Sequence, residues 1–428
     1  MKGKFRYVII ICVLTMATIN YIERGILSYA QASIIQEFGF SPAAWGAVLG
    51  YFGYGYAVGG LLGGMLADKK GPRWVWIWAG VSWSLAVALT AFAGNVGIAI
   101  FGGSALAGFA IFRIIFGLAE GPVYANMNRT MANWTSPKER GFTTSIGLAA
   151  TPLGALITAP VAVLLFTLFS WKIALILLGA IGLVFTLLWT RVFTDKPEDN
   201  PRVTKEELAK IRSGETRVPE LEDSSIPWYH FFKNPSLVLN LVGFFAGSYT
   251  TFMLLFWMPK YLQDVHHLQL SSLAYYGVIP WILPCITILL GGRLSDYLKR
   301  KTNNLRIARC GINITSLMII TICFFLIPNV KSLAGILVLI ALGNGGSFLA
   351  NTTYWLVIVD TEPSKIGTYG GISHFVAQSA SIAAPVLTGL LVTAYGYSAM
   401  FMAAGTIAGI AIITQLFVKP GKRVANAK

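Results

Sequence analysis

Apolar runs of about 20 residues or more, the length that a membrane-spanning helix needs, dominate this chain. Six of them precede residue 194 and cover about 6–29, 43–67, 73–94, 97–121, 142–169 and 172–193. Six more follow residue 233 and cover about 236–262, 272–297, 305–327, 332–358, 368–393 and 398–418. We therefore predict an all-α polytopic membrane protein with twelve transmembrane helices in two six-helix halves. The predicted divisions are an N-terminal bundle over 1–193, a polar central loop over 194–233 and a C-terminal bundle over 234–428.

The composition supports a surface that faces lipid. The 428 residues are 55% hydrophobic and only 12% charged, whereas a soluble domain carries roughly 25% charged residues. A larger core does not account for the missing charge, because the surface of a soluble protein still has to face water. The first apolar run follows Lys2, Lys4 and Arg6 and shows no small-residue cleavage site. We therefore interpret it as the first spanning helix and not as a removable signal peptide.

Basic residues gather in the loops on one side of the predicted membrane, and the opposite loops carry few. This positive-inside asymmetry predicts cytoplasmic termini and a multi-pass protein of the cell inner membrane. The net charge of +15 would suggest nucleic acid in a soluble protein. No basic patch is interleaved with base-stacking aromatics, so we expect no nucleic-acid partner. Within the central loop, Thr204-Lys-Glu-Glu207 is a capping-box pattern that predicts a short helix lying at the cytoplasmic surface.

A loop motif occurs twice, at matching positions of the two halves. The second predicted helix is followed by Gly64-Met-Leu-Ala-Asp68-Lys-Lys-Gly71-Pro-Arg73, and the eighth by Gly292-Arg-Leu-Ser-Asp296-Tyr-Leu-Lys-Arg300. An ordinary positive-inside loop accounts for the basic residues, but not for the repeated glycine and aspartate. The first copy resembles the signature loop of the major facilitator superfamily, whose fold has twelve helices in two sixes. The resemblance implies a conformational gate that braces the two halves, formed by Gly64, Asp68, Gly71, Arg73, Asp296 and Arg300.

Two arginines and two glutamates lie well inside predicted spans of the first half, where a charge is costly unless it is paired or solvated. The first helix carries Glu23 and Arg24, and the fourth carries Arg113 and Glu120, two helical turns apart on one face. We expect no buried counterpart in the second half. One interpretation is that these residues form two neutralising ion pairs, whose only role is to hold the first and fourth helices together. The functional interpretation is that arginine binds an anion through its planar fork, and that glutamate in a low-dielectric cavity exchanges a proton.

Three segments around these residues are similar to the anion:cation symporter family, and the similarity covers essentially the whole chain. They are Asn20-Tyr-Ile-Glu-Arg-Gly-Ile-Leu-Ser28, Arg113-Ile-Ile-Phe-Gly-Leu-Ala-Glu-Gly-Pro122 and Ala132-Asn-Trp-Thr-Ser-Pro-Lys-Glu-Arg-Gly141. The family includes bacterial galactonate, glucarate and hexuronate carriers and, more distantly, sialin and the vesicular glutamate transporters. The resemblance implies that Arg24 binds the substrate carboxylate, that Glu120 is a proton-coupling carboxylate and that Arg113 is its partner. Glu23 stands where the sugar-acid carriers usually have Asp, and we include it among the proton-coupling residues.

The same resemblance implies a set of substrate-binding residues on several helices. Thr151 replaces a frequent glutamine, and His374 and Gln378 stand where the carriers typically have asparagines, one turn apart on the eleventh helix. Without the resemblance, Tyr56 and Trp355 are equally well interpreted as packing aromatics. The loss of amides leaves the identity of the bound polyol open. The predicted substrate-binding residues are Tyr21, Arg24, Tyr56, Thr151, Trp355, His374 and Gln378.

These patterns predict a secondary active transporter and not an enzyme. We expect proton-coupled symport of a small organic anion, a sugar acid such as a hexonate, hexarate or hexuronate. An aromatic or short aliphatic carboxylate is an alternative, because 13% of the residues are aromatic and the expected amides are few. Organic-anion exchange without net proton movement and coupling to sodium also stay open. No catalytic arrangement, metal-ligand spacing or signalling domain is present, so we expect no cofactor, no metal and a monomer in the bilayer.

Overall fold

The computed structural model describes residues 4–213 and 227–422, apart from the side chains at positions 64, 68, 138 and 140–142. Helices make up the regular structure of these residues, and no strand occurs among them. The first half holds α1 (Phe5–Tyr29), α2 (Gln31–Phe38), α3 (Pro42–Lys70), α4 (Pro72–Thr90), α5 (Ala93–Ile100), α6 (Ala105–Glu120), α7 (Val123–Trp134), α8 (Pro137–Leu168), α9 (Trp171–Val192) and α10 (Lys205–Arg212). The second half holds α11 (Pro235–His266), α12 (Leu273–Tyr276), α13 (Ile279–Thr302), α14 (Ile312–Leu326), α15 (Leu333–Thr361), α16 (Ile366–Gln378), α17 (Ala380–Tyr395) and α18 (Tyr397–Phe417). A 3-10 turn, Trp228–Lys233, precedes α11, and a π-helical turn, Ile307–Gly311, leads into α14.

Many of these helices, alone or joined to the next helix, are long enough to cross a membrane. Among the described residues, ten segments have the length and apolar character of a span, and α4 with α5, bent by 72° between them, counts as an eleventh. The 29-residue α3 is a further long helix. Large apolar side chains such as Leu168, Ile181 and Ile413 are more than half exposed, as expected of a surface that faces lipid. The prediction of an all-α polytopic membrane protein is confirmed.

The fourth span lies further along the chain than predicted. The sequence pattern indicated 97–121 with an end at Gly121-Pro122, whereas the structure has Ala105–Trp134. Both Gly121 and Pro122 have right-handed helical dihedral angles, so the chain continues into α7. A proline is tolerated there because the N–H groups at the start of a helical turn need no intrahelical acceptor. As a result, Glu120 lies near the middle of the span and not at its end.

The chain forms two compact units, Met1–Arg217 with Gln269–Ala274 and Val218–Leu268 with Tyr275–Lys428. The division into 1–193, 194–233 and 234–428 stays a prediction. The described parts of the central segment pack on both units: 194–212 on the N-terminal unit, and Trp228–Lys233 on the C-terminal unit.

Glycines bring α3 and α6 together in the N-terminal unit. A Cβ atom at Gly55 would overlap the backbone of Ile114, and one at Gly117 would overlap the backbone carbonyl of Phe52. The two helices are therefore in direct backbone contact, the packing that small residues allow in membranes. This close approach sets the aromatic side chains of α3 against the charged face of α6.

The segment 194–212 lies against the N-terminal unit at the end where α1 begins. Asp195 accepts a 2.6 Å hydrogen bond from the backbone N–H of Arg73, at the start of α4. Asn133 and Trp134, at the end of α7, donate to the backbone carbonyls of Asp195 and Thr194 at 3.0 and 3.1 Å. A backbone donor of α4 and two side-chain donors of α7 thus hold this segment to the ends of two helices.

The short helix α10 confirms the helix predicted to follow Thr204, whose Oγ1 accepts from the backbone N–H of Glu207 at 3.2 Å. In a complete capping box, the side chain of Glu207 would accept in return from the backbone N–H of Thr204. Here that side chain forms a longer-range hydrogen bond instead. Oε1 of Glu207 accepts instead from the backbone N–H of Arg6 at 2.8 Å. The first N–H groups of α1 have no intrahelical acceptor, so a carboxylate there satisfies a donor and complements the positive end of the helix dipole.

The C-terminal unit holds a buried charge that the sequence analysis did not expect. Arg309, on the π-helical turn, is 2% exposed. Its Nε donates to Asp360 at 2.8 Å, and its Nη1 donates to Ser295 at 2.5 Å and lies 3.4 Å from Asp296. The expectation of no buried counterpart in the second half is therefore wrong. Position 309 lies in the first turns of its span, where an arginine is hard to distinguish from the basic residues of the preceding loop.

Replacing Glu207 with Ala should lower the thermal stability of the protein. The substitution leaves a buried N–H of Arg6 without an acceptor, which costs about 1–2 kcal/mol and lowers the unfolding midpoint by about 2–4 °C. Thermal unfolding in detergent, followed by tryptophan fluorescence, measures the shift. Glu206→Ala, on the exposed side of α10, is the matched control and should change stability by less than about 0.5 kcal/mol. Equal shifts in the two variants would contradict the capping role of Glu207.

Candidate functional site

α1 and α6 bring an arginine and a glutamate into a fully buried ion pair. Nε of Arg24 donates to Oε2 of Glu120 at 2.8 Å, and Nη2 lies 2.8 Å from the same oxygen. Both side chains are 0% exposed. Nη1 of Arg24 and Oε1 of Glu120 have no hydrogen-bond partner among the described residues. The pair neutralises both charges but leaves one strong donor and one strong acceptor unused.

Aromatic rings enclose the guanidinium of Arg24. Its central carbon lies 4.5 Å from the ring centroid of Tyr21, 4.9 Å from that of Phe52 and 4.7 Å from that of Tyr56. Nη2 also lies 3.4 Å from the side-chain oxygen of Asn20. Ring faces stabilise a cation and keep water away from it. An anion from solution therefore reaches Arg24 only after this enclosure opens.

Arg113 lies beside the same enclosure. Its guanidinium carbon is 5.0 Å from the ring centroid of Phe52 and 5.5 Å from that of Phe116, and the residue is 2% exposed. Phe52 thus contacts both Arg24 and Arg113. Together with Glu23, Arg113 also lines a cavity of about 10 Å³, space for the centre of a single water molecule.

Glu23 turns away from the ion pair formed by its neighbour Arg24, because successive residues of a helix point about 100° apart. Its carboxylate lies beside Ser84 of α4 and Gly182 of α9 and is 2% exposed. The two carboxylates predicted for proton coupling are therefore held in different surroundings, Glu120 against an arginine and Glu23 at the junction of three helices.

Thr151, on α8, uses its hydroxyl group within the protein. That hydroxyl lies 2.5 Å from the hydroxyl of Tyr124 on α7. The ring of Tyr124 meets that of Tyr21 edge-on, with a centroid separation of 6.5 Å. Thr151 is therefore joined to the aromatic enclosure of Arg24 through two tyrosines.

The predicted residues of the second half lie together in the C-terminal unit. The rings of Trp355 and His374 are 6.1 Å apart, and Trp355 also meets Phe244 at 5.9 Å. Gln378 follows His374 by one turn of α16 and so shares its face. Oε1 of Gln378 is buried with no hydrogen-bond partner among the described residues.

The predicted gate residues have varied surroundings, and their gating role stays a prediction. The side chains of Gly64 and Asp68 lie outside the described part of the chain. Gly71 ends α3 at φ +83°, a conformation that favours glycine, directly before the turn at which Arg73 contacts Asp195. In the second copy of the motif, Asp296 lies beside Arg309, and Arg300 is exposed in the last turn of α13.

Several residues of the site were missed in the sequence analysis. Phe52 precedes Tyr56 by four residues on α3, so the shared helix face was a signal for it. Tyr124 was missed because the pattern ended the fourth helix at Pro122. Ser84 and Gly182 had no signal, since small residues occur throughout the spans of a chain with 44 glycines.

Comparison with known proteins places the chain among membrane transporters. A sequence model of the Major Facilitator Superfamily matches residues 13–385. The hexuronate transporter of Bacillus subtilis (strain 168) is 32% identical over 430 aligned positions, which cover 98% of this chain and 96% of that protein. The "Probable sulfoacetate transporter" of Cupriavidus necator is 32% identical over 97% of this chain and 94% of that protein. A "Probable galactarate/D-glucarate transporter" of Escherichia coli (strain K12) is 28% identical over 96% and 92%.

A solved bacterial homologue of the human lysosomal transporter Spinster has the same fold, with a TM-score of 0.77 over 98% of this chain and 97% of that one. The two sequences are only 15% identical, so this likeness establishes the fold alone. The relatives confirm the predicted resemblance to sugar-acid carriers, and they indicate a transporter and not an enzyme. The chain belongs to the Major Facilitator Superfamily and is a multi-pass membrane transporter.

Proposed function

We propose that the protein carries a small organic anion together with a proton across a bacterial inner membrane, by alternating access. The buried pair of Arg24 and Glu120 carries the proposal. A pair with a purely structural role is expected to satisfy its hydrogen-bonding atoms, whereas this one leaves Nη1 and Oε1 without partners in the described part of the chain. The pair therefore has the capacity to accept another charged group.

Arg24 is the anion-binding group in this proposal. A guanidinium presents two parallel N–H groups that match the two oxygens of a carboxylate. In the structure those donors are directed at Glu120, and Tyr21, Phe52 and Tyr56 surround the cation. A substrate carboxylate takes the place of the glutamate and keeps the arginine paired, which avoids the cost of an isolated buried charge.

Glu120 supplies the coupling. When it takes up a proton, it loses its charge and its hold on Arg24, which is then free to bind the anion. Proton binding and anion binding are thereby linked through competition for one cation. Arg113 also attracts the carboxylate of Glu120, and it borders the cavity that Glu23 lines, so both carboxylates act with this second arginine.

A sugar acid is the substrate class that the relatives favour, because two of them are named as hexuronate and galactarate/D-glucarate transporters. A hydroxylated acid needs hydrogen-bonding groups besides the arginine. His374 and Gln378 lie on one face of α16 beside Trp355 and offer such groups. In this proposal they bind the hydroxyl groups of the substrate.

A smaller acid is the second candidate for the substrate, and the hydrogen bond that Thr151 already forms favours it. Its hydroxyl is already bonded to Tyr124, and the groups around Arg24 are mainly aromatic. Such surroundings offer few donors to a polyol. A short carboxylate or sulfonate needs fewer hydrogen bonds, and one relative is named as a sulfoacetate transporter.

Uptake into proteoliposomes that contain the purified protein tests the proposed function. We expect an inwardly directed proton gradient, with the outside more acidic, to drive accumulation of a labelled hexuronate or hexarate. Short carboxylates and sulfoacetate are measured in parallel. Liposomes without protein and a sodium gradient at equal pH are the controls. Accumulation driven by sodium alone, or by neither ion, would contradict proton coupling.

Replacing Arg24 with Ala should abolish anion binding. Breaking a buried pair on one side costs about 3–5 kcal/mol, or several hundred-fold in affinity. Arg24→Lys should recover little of this loss, because an ammonium group lacks the planar fork. Binding is measured by the substrate-induced shift of the unfolding temperature. Near-normal binding in Arg24→Ala would move anion recognition to Arg113.

Glu120→Gln should separate exchange from accumulation, because it mimics the permanently protonated carboxyl group. We expect the variant to exchange labelled for unlabelled substrate across the membrane and to fail to concentrate it under a pH gradient. Glu37→Gln is the control, since Glu37 pairs with Lys172 and Trp171 away from the site. If Glu120→Gln still concentrates substrate, its glutamate has only a structural role.

A further inference from the structure

The carboxylate of Glu23 occupies a niche that is bordered on one side by Gly182, which has no side chain. A Cβ atom at Gly182 of α9 would lie 2.6 Å from Oε1 of Glu23 and 2.6 Å from Oγ of Ser84 on α4. Neither oxygen of Glu23 has a hydrogen-bond partner among the described residues. The carboxylate therefore fills the space that any larger residue at position 182 would need.

The atoms around Gly182 distinguish it from the other glycines of the same helix contact. A Cβ atom at Gly179, one turn earlier on α9, would overlap the backbone carbonyl of Ser84, so Gly179 keeps the two helices close. A Cβ atom at Gly182 would instead overlap the ends of two side chains, those of Glu23 and Ser84. A methyl group there displaces the carboxylate and the hydroxyl group before it displaces either helix.

Two hydrogen-bond donors border the niche. Oγ of Ser84 and the indole Nε1 of Trp83 are both buried, and neither has a partner among the described residues. Trp83 faces the carboxylate of Glu23 without meeting the geometry of a hydrogen bond. The carboxylate also lines the one-water cavity that it shares with Arg113. The niche thus has two donors on its border for the ionised form, and the neighbouring cavity has space for a water molecule as acceptor for the protonated form.

We infer that Gly182 and Ser84 are positioning residues that hold Glu23 in a niche sized for its carboxylate, and that this placement is required for proton-driven accumulation. The inference rests on the proposed function. Gly182 acts by leaving room for the carboxylate, and Ser84 by bordering that room with a hydroxyl group. Neither residue touches the substrate in this assignment.

A rescue experiment tests the inference. Gly182→Ala should lower accumulation on the order of tenfold, since misplacing a reacting group by about 1 Å can cost about a hundredfold. Exchange without a pH gradient should stay within about twofold, because Arg24 is unaffected. Glu23→Asp alone should also lose accumulation, because its shorter side chain falls short of the niche. The double variant, in which the shorter side chain meets the added methyl group, should accumulate more than either single variant.

Gly80→Ala is the matched control. It adds a methyl group to the same contact of α1, α4 and α9, but the atoms that it meets belong to Thr186 and Met16 and not to Glu23. Its accumulation should equal that of the unmodified protein. The inference is wrong if Gly182→Ala accumulates normally, if the double variant shows no rescue, or if Gly80→Ala loses as much as Gly182→Ala.

An infrared measurement separates this inference from the proposed function. The C=O stretching band of protonated Glu23 is identified as the band that Glu23→Gln removes. It should shift in Gly182→Ala and stay in place in Gly80→Ala, whether or not the protein accumulates any acid. An unmodified protein that accumulates nothing under a pH gradient contradicts the proposed function, and an unshifted band in Gly182→Ala contradicts the niche. If Gly182→Ala does not fold, Ser84→Ala decides by the same band, and an unchanged frequency there overturns the inference.

Discussion

An ionised side chain inside a bilayer has no bulk water to stabilise it, and two buried arginines of this protein pair with carboxylates from other helices. Arg24 of α1 meets Glu120 of α6, and Arg309 meets Asp360 at the end of α15. Each pair joins residues that lie more than 50 positions apart in the sequence. Arg309 has further support from the hydroxyl of Ser295. Arg24 instead holds one carboxylate oxygen and rests against aromatic rings, which makes it the pair better suited to exchange its partner.

Helix packing fixes the rings that surround this exchangeable pair. Because α3 and α6 touch through Gly55 and Gly117, the aromatic residues of α3 have little freedom to move relative to the charges of α6. Phe52 lies within 5.0 Å of both guanidinium carbons. A displacement of either arginine therefore changes the contacts of the other. The two arginines, the ring of Phe52 and the touching backbones of α3 and α6 are therefore linked by direct contacts in the N-terminal unit.

The sequence allowed the fold class and the main charges of the site to be predicted, because both follow from rules that act along the chain. A span needs a run of apolar residues, and an ionisable residue within such a run stands out as Arg24 and Glu120 did. Contacts between helices leave no such trace. Sequence reasoning therefore missed Tyr124 beside Thr151, and it missed Arg309 because that arginine enters its span from a basic loop. The pairing of Arg24 with Glu120 also depends on how the helices are rotated about their axes, which periodicity does not fix.

The two oxygens of Glu120 differ in a way that sets an order of events in the proposed cycle. Oε2 accepts the hydrogen bond from Nε of Arg24 and faces Nη2, and Oε1 carries no hydrogen bond within the described residues. A proton that arrives on Oε1 does not have to wait for the guanidinium to leave. Neutralisation with the contact still in place removes the attraction between opposite charges and leaves a hydrogen bond from the charged guanidinium to a neutral acceptor. In the proposed cycle, protonation therefore precedes the separation of the two side chains.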